Sequence, residues 1–157
     1  MSFSYQKNVG FYNEAATAGD RASQNPVIYV APNNFLAGGT VKVASFVWRD
    51  STNPATEVVN AGSGAPLGFV ERTINHDNFD VDVAGTLAIP EEGNVTVAKK
   101  GDFFVPADGA VSIGATVYAD TTDGSVTFTS GDNTVDSGYK AVTAASASGE
   151  LVVISNW

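Results

Sequence analysis

Apolar residues in this chain fall into short runs divided by turn-forming clusters, and the runs show no helical period. The strongest is VKVASFVWR (41–49), dense in the β-branched and aromatic residues that suit a pleated, half-buried surface. VIYVA (27–31), TEVVN (56–60), LGFVERTI (67–74), TLAIP (86–90) and NVTVA (94–98) read as strands on the same grounds. So do DFFV (102–105), TVYA (116–119), SVTFT (125–129), YKAVT (139–143) and ELVVIS (150–155). PADG, TTDG, SGDN and SASG punctuate the second half. Gly there supplies unusual backbone angles and Asp or Asn bonds its own backbone, which is turn chemistry. The pattern predicts an all-β fold, a β-sandwich or barrel of about 8–10 short strands.

The first 25 residues break this pattern. FYNEAATAGDRAS (11–23) has room for one short helical turn, but its small residues and Gly19 favour an extended N-terminal arm over 1–25. Asn25-Pro26 marks the boundary with a single all-β domain over 26–157. The arm carries Phe3, Tyr5, Phe11 and Tyr12. Aromatic rings gain little in water and favour a surface to pack on. That surface is either the protein's own core, with the arm as a strap, or a neighbouring subunit.

A length of 157 residues suits one domain, and 43% hydrophobic content is enough for a core. Seventeen acidic residues against eight basic give a net charge of −9. Such a chain is a poor direct partner for nucleic acid, whose binding rests on Lys and Arg neutralising phosphates. The same charge argues equally against anionic membrane surfaces. The acidity is concentrated: from Gly101 to Trp157, seven acidic side chains face one basic one, Lys140. This is the pattern of a solvated half, with the better-balanced N-terminal half free to meet a partner. Cysteine is absent, so no disulfide supports the fold and cytosolic synthesis is expected. The opening MSFSYQKNVGFYNE has no apolar signal-peptide core, and no apolar run approaches the ~20 residues of a membrane span.

Candidate chemistry is sparse. NAGSGAPLGFVER (60–72) looks at first like a phosphate loop, but no Gly-Lys-Ser/Thr follows and no helix begins there. Leu67 stands where the third glycine of a dinucleotide fingerprint belongs, and Ala61 and Ala65 replace the glycines of a nucleophile elbow around Ser63. The stretch reads as a turn between strands. His76 is the single histidine, which rules out a two-histidine metal site, and its neighbours Asp77, Asp80 and Asp82 lack calcium-loop spacing. No catalytic residue, cofactor or metal site is predicted. Trp48 lies inside the strongest strand and belongs to the core, whereas Trp157 either caps its own sheet, the preferred reading, or sits in a contact.

Four blocks carry a family resemblance: YQKNVGFYNEAATAGDRASQNP (5–26), VKVASFVWRD (41–50), VVNAGSGAPLGFVER (58–72) and KKGDFFVPADGAVSIGATVYAD (99–120). In this order they resemble the structural cement proteins, or capsid decoration proteins, of tailed-phage heads. The likeness runs from Tyr5 to about Asp120, with a looser echo in Gly149-Glu150-Leu151. It implies a non-enzymatic virion protein with a jelly-roll-like β-sandwich. It further implies binding to the outer surface of the capsid, bridging of neighbouring major capsid protein subunits against the pressure of packaged DNA, and assembly as a homo-oligomer. A dimer and a trimer both fit closed symmetry. On this resemblance Phe3, Tyr5, Phe11 and Tyr12 become candidate capsid or subunit contacts, and Lys7 and Arg21 candidates to pair with acidic capsid groups. The alternative is a head-exposed binding module recognising a glycan or host surface, with Tyr118, Tyr139 and Trp157 as stacking platforms.

Overall fold

The computed structural model describes residues 16–32, 34–73, 80–81 and 87–157. Within them every regular element is a strand. In chain order these are β1 (Ile28–Tyr29), β2 (Phe35–Ala37), β3 (Val41–Lys42), β4 (Phe46–Arg49) and β5 (Glu57–Val59). Next come β6 (Gly68–Val70), β7 (Asp80–Val81), β8 (Leu87–Ile89), β9 (Asn94–Val95) and β10 (Val97–Lys100). The second half supplies β11 (Asp102–Pro106), β12 (Thr116–Asp120), β13 (Val126–Thr127), β14 (Thr134–Ala141) and β15 (Leu151–Ser155).

The strands form three sheets. A seven-stranded sheet has the order β1-β10-β6-β4-β5-β2-β9, a five-stranded sheet β11-β15-β14-β12-β13, and a three-stranded sheet β3-β8-β7. All pairs are antiparallel except β2 with β5. The seven-stranded sheet is the middle layer. One face presents Phe46, Trp48, Phe69 and Ala98 to Phe103, Val117, Tyr139, Val152 and Ile154 of the five-stranded sheet. Its other side packs Val47, Val58, Val70 and Val97 with Val41 and Ile89 of the small sheet.

Double coverage explains the local sequence. Strands β4 and β6 have apolar side chains on both faces and read as unbroken apolar runs. Strands β12 and β15, with one face toward the core, alternate buried and half-buried positions. The sandwich centre is aromatic: Phe69 stacks on Phe103 at 4.8 Å, and Phe46 meets Phe69 edge-on at 5.4 Å. Each ring removed from water contributes about 1.5–3 kcal/mol, with a further increment for ring geometry.

The all-β expectation holds, with shorter and more numerous strands than the runs suggested. VKVASFVWR divides into β3 and β4 because the chain changes sheets within it. Ala44 takes φ 59° at the corner, and Ala44 N–H donates to the Val70 carbonyl (2.9 Å). NVTVA also divides, but within the seven-stranded sheet: β9 pairs with β2 at one edge, and β10 with β6 toward the other.

NAGSGAPLG is a structural turn. Asn60 donates through Nδ2 to Ser45 Oγ and the Phe46 carbonyl and accepts from Lys42 N–H, tying the small sheet to the middle one. Gly62 lies flat against the Trp48 indole, where a Cβ would stand 2.2 Å from Cγ. The indole Nε1 donates to the Gly64 carbonyl at 2.9 Å. Glycine is required at 62 because the ring occupies the space of a side chain. As expected, Trp48 is buried.

Candidate functional site

The most organised polar site lies where the N-terminal segment joins the domain. Residues 19–22 run beside β11 as an added edge. Gly19 N–H donates to the Phe104 carbonyl, Phe104 N–H to the Asp20 carbonyl and Ala22 N–H to the Asp102 carbonyl, at 2.8–3.0 Å. Arg21 and Phe103 form an antiparallel bridge. On the other flank Arg72 N–H donates to the Gly19 carbonyl (2.8 Å), so the segment is held from both sides.

Two buried carboxylates complete the attachment. Glu71 follows directly on β6 and is 1% exposed. Arg21 donates to it twice, Nε to Oε2 at 3.1 Å and an Nη to Oε1 at 3.2 Å, and Tyr29 donates its hydroxyl to Oε1. Arg21 also contacts the Tyr29 hydroxyl. Asp102 opens β11 and is 7% exposed; its Oδ2 accepts from Ser23 Oγ and Asn25 Nδ2. A half-exposed pair, Arg72 with Asp20 at 2.9 Å, flanks the set.

The electrostatics follow from these contacts. The hydrogen bond to Glu71 raises the Arg21 guanidinium above its ordinary value, so it stays charged. Burial, and then the Glu71 carboxylate, push the Tyr29 hydroxyl up to about 12. At Asp102 burial opposes ionisation, but hydrogen bonding from Ser155, Ser23 and Asn25 outweighs it and holds the carboxyl below its ordinary value. Glu71 and Asp102 therefore act as hydrogen-bond acceptors that fix chain geometry. Among the described residues, no group of three or more His, Asp or Glu side chains is gathered as a metal would require.

Arg21 is thus partnered within its own chain, with its side chain half exposed. Phe3, Tyr5, Lys7, Phe11 and Tyr12 lie outside the described residues, as do His76, Asp77 and Asp82. Of the three proposed stacking aromatics, Tyr139 is unsuited: it is 2% exposed and packs between Phe46 and Phe103 in the core, since β14 turns that face inward. Trp157 is exposed and lies 5.0 Å from the Lys100 ammonium. Sequence reasoning missed Glu71, Asp102 and Tyr29. The available signal was a glutamate directly following the apolar stretch LGFV, a placement that needs a cation to accompany it.

Beside this attachment, Thr17 and Ala18 line a groove of about 370 Å³ with Val43, Ala44, Leu87, Pro106 and Val126. The acidic half of the chain forms the five-stranded outer layer, residues 102 to 155.

The described residues thus form a three-layer β-domain to which Gly19–Ala22 are hydrogen-bonded from both sides. The sequence model of the XM1 gp53 minor capsid protein family matches residues 5–156, and the chain belongs to that family. The family places it among phage virion structural proteins. Among solved structures, a chain of the capsid of Myoviridae phage XM1 has a similar fold. Its TM-score is 0.65 at 15% identity, with 98% of each chain covered. No curated protein matches the chain.

Proposed function

We propose that this protein is a cement protein: it binds the outer surface of an assembled phage head and bridges neighbouring major capsid subunits, adding no chemistry of its own. The observation that carries the reading is membership of a minor capsid family over nearly the whole chain, residues 5–156. The structure supports it in two ways. The N-terminal segment that bears the aromatics is rooted on the domain at Gly19–Ala22, so tension on it is transmitted to the sandwich. The acidic layer opposite the small sheet suits a solvent-facing side.

Physically, cementing is linkage. A protein that binds the assembled lattice and not the free subunits stabilises the lattice by RT ln(1 + [L]/Kd) per site. Repetition over a symmetric shell turns modest contacts into mechanical strength. Phe3, Tyr5, Phe11 and Tyr12 supply apolar contact area on the capsid or a second copy, and Lys7 pairs with an acidic capsid group. Arg21 contributes at the contact through the exposed half of its side chain.

The test is co-sedimentation with heads lacking the protein, and resistance of decorated heads to heat or osmotic shock. Saturable binding that raises the temperature of head rupture supports cementing. Saturable binding with no gain in rupture resistance would reduce the role to decoration, and no binding would overturn the proposal.

A further inference from the structure

We infer that Glu71 and Asp102 are positioning residues: a two-point anchor that fixes the course of residues 17–25 on the domain, and hence how the N-terminal segment is presented to its partner. The inference rests on the proposed role of that segment. Both carboxylates belong to the folded domain, one after β6 and one at the start of β11, and both are buried. Among the described residues their side-chain donors come mostly from one short stretch, Arg21 and Tyr29 for Glu71, Ser23 and Asn25 for Asp102. Burying a carboxylate is a costly way to gain stability, and well-packed apolar residues of similar volume often do as well or better in place of a buried ion pair. A bidentate guanidinium–carboxylate pair adds direction, since its planar fork has one good approach.

The exit itself is shaped next to this anchor. Asp20 accepts from Thr17 N–H (2.9 Å) through Oδ2 and pairs with Arg72 through Oδ1, while Asp20 N–H donates to the Thr17 carbonyl. Gly19 takes φ 89°, and a Cβ there would stand 3.0 Å from Val43 Cγ1 and 3.1 Å from Arg72. The chain therefore turns at 17–20 in one sense, against a wall. Slackening at Glu71 or Asp102 frees that turn without touching any partner.

Arg21 is itself a trypsin site, so cleavage after it reports opening of the anchor in the free protein. The experiment compares wild type, E71Q, D102N and a core control, Val152→Ala, by urea stability, tryptic cleavage after Arg21 and binding to undecorated heads. Cleavage of a native segment tracks its local opening. We expect E71Q and D102N to speed that cleavage about tenfold relative to the core control after correction for stability. Head binding should weaken by a similar factor in these two and be unchanged in the control. Cleavage no faster than the control's, or head binding equal to wild type despite faster cleavage, would overturn the inference. Should wild type fail to bind heads, the cement proposal falls and the cleavage comparison alone decides whether the anchor holds the segment. If E71Q does not fold, Y29F removes one donor to Glu71 and takes its place in the same comparison.

Discussion

Arg21 and Glu71, fifty positions apart, are joined by two hydrogen bonds of 3.1 and 3.2 Å, and the carboxylate is buried while the guanidinium is half in solvent. Removing the cation leaves a buried charge with the Tyr29 hydroxyl as its remaining described side-chain donor. R21A should therefore destabilise the domain by about 2 kcal/mol, below the range for fully buried pairs because solvent screens the exposed half. R21K should recover only part of this, since an ammonium cannot make the paired contacts of the fork. Urea denaturation of the three proteins measures both effects. Equal stability of R21A and wild type would remove Glu71 from the account of the fold.

The close approach of Gly62 to Trp48 makes a second prediction. G62A places a methyl group 2.2 Å from the indole Cγ, far inside van der Waals contact distance, and the ring is held by its hydrogen bond to the Gly64 carbonyl. Overpacking of this kind costs about 1–3 kcal/mol. Fluorescence of the buried tryptophan should change in G62A, whereas G109A, with open space around the added methyl, should be silent.

Phe69 lies at the crossing of both aromatic contacts, stacked on Phe103 and edge-on to Phe46. F69A should cost about 3–5 kcal/mol, as deletion of a buried ring leaves a cavity the neighbours cannot close. A thermal or urea midpoint close to wild type would contradict the three-layer core.

Alkaline pH should loosen the N-terminal root. The Tyr29 hydroxyl is raised to about 12 in the folded state, against about 10 for an unperturbed tyrosine. With the folded value above the unfolded one, its contribution is complete below pH 10 and is lost as pH rises toward 12. Burial, and then the charge of Asp102, raise Tyr139 as well and add a loss of the same sign. Y29F should flatten stability over this window in part. At the acid end the sign reverses: Asp102, held below the ordinary carboxyl range, contributes stability that disappears as pH falls through its folded value, and D102N should blunt that limb.

The legible parts of this molecule were those where burial is decided locally. LVVIS and TVYAD alternate because one face of their sheet meets the core, and SFVWR and LGFV are continuous because the middle sheet is covered twice. Strand β2 was hidden, since FLA precedes two glycines and resembles a loop, yet Phe35 is fully buried. The division of VKVASFVWR depends on which sheet each half joins, a tertiary fact that no short window contains. The anchor was illegible for the same reason: Arg21 looks like an arm residue seeking a partner elsewhere, and its partner sits fifty residues on. By contrast, the family blocks were readable because they are long and ordered along the chain, and the family match over 5–156 agrees with them.

Deleting residues 2–15 separates the segment from the domain that holds its root. The hydrogen bonds at Gly19–Ala22 and the anchors at Glu71 and Asp102 all survive the deletion. The shortened protein should keep its urea midpoint and lose head binding. An unchanged affinity would move the capsid contact onto the body of the sandwich.

The most direct measurement is cryo-electron microscopy of undecorated heads mixed with the purified protein at saturating concentration. Density is expected at regular lattice positions on the outside of the shell, each copy spanning at least two major capsid subunits, with the acidic five-stranded layer facing solvent. Density on the inner surface, at one vertex only, or none at all from a folded protein would contradict it.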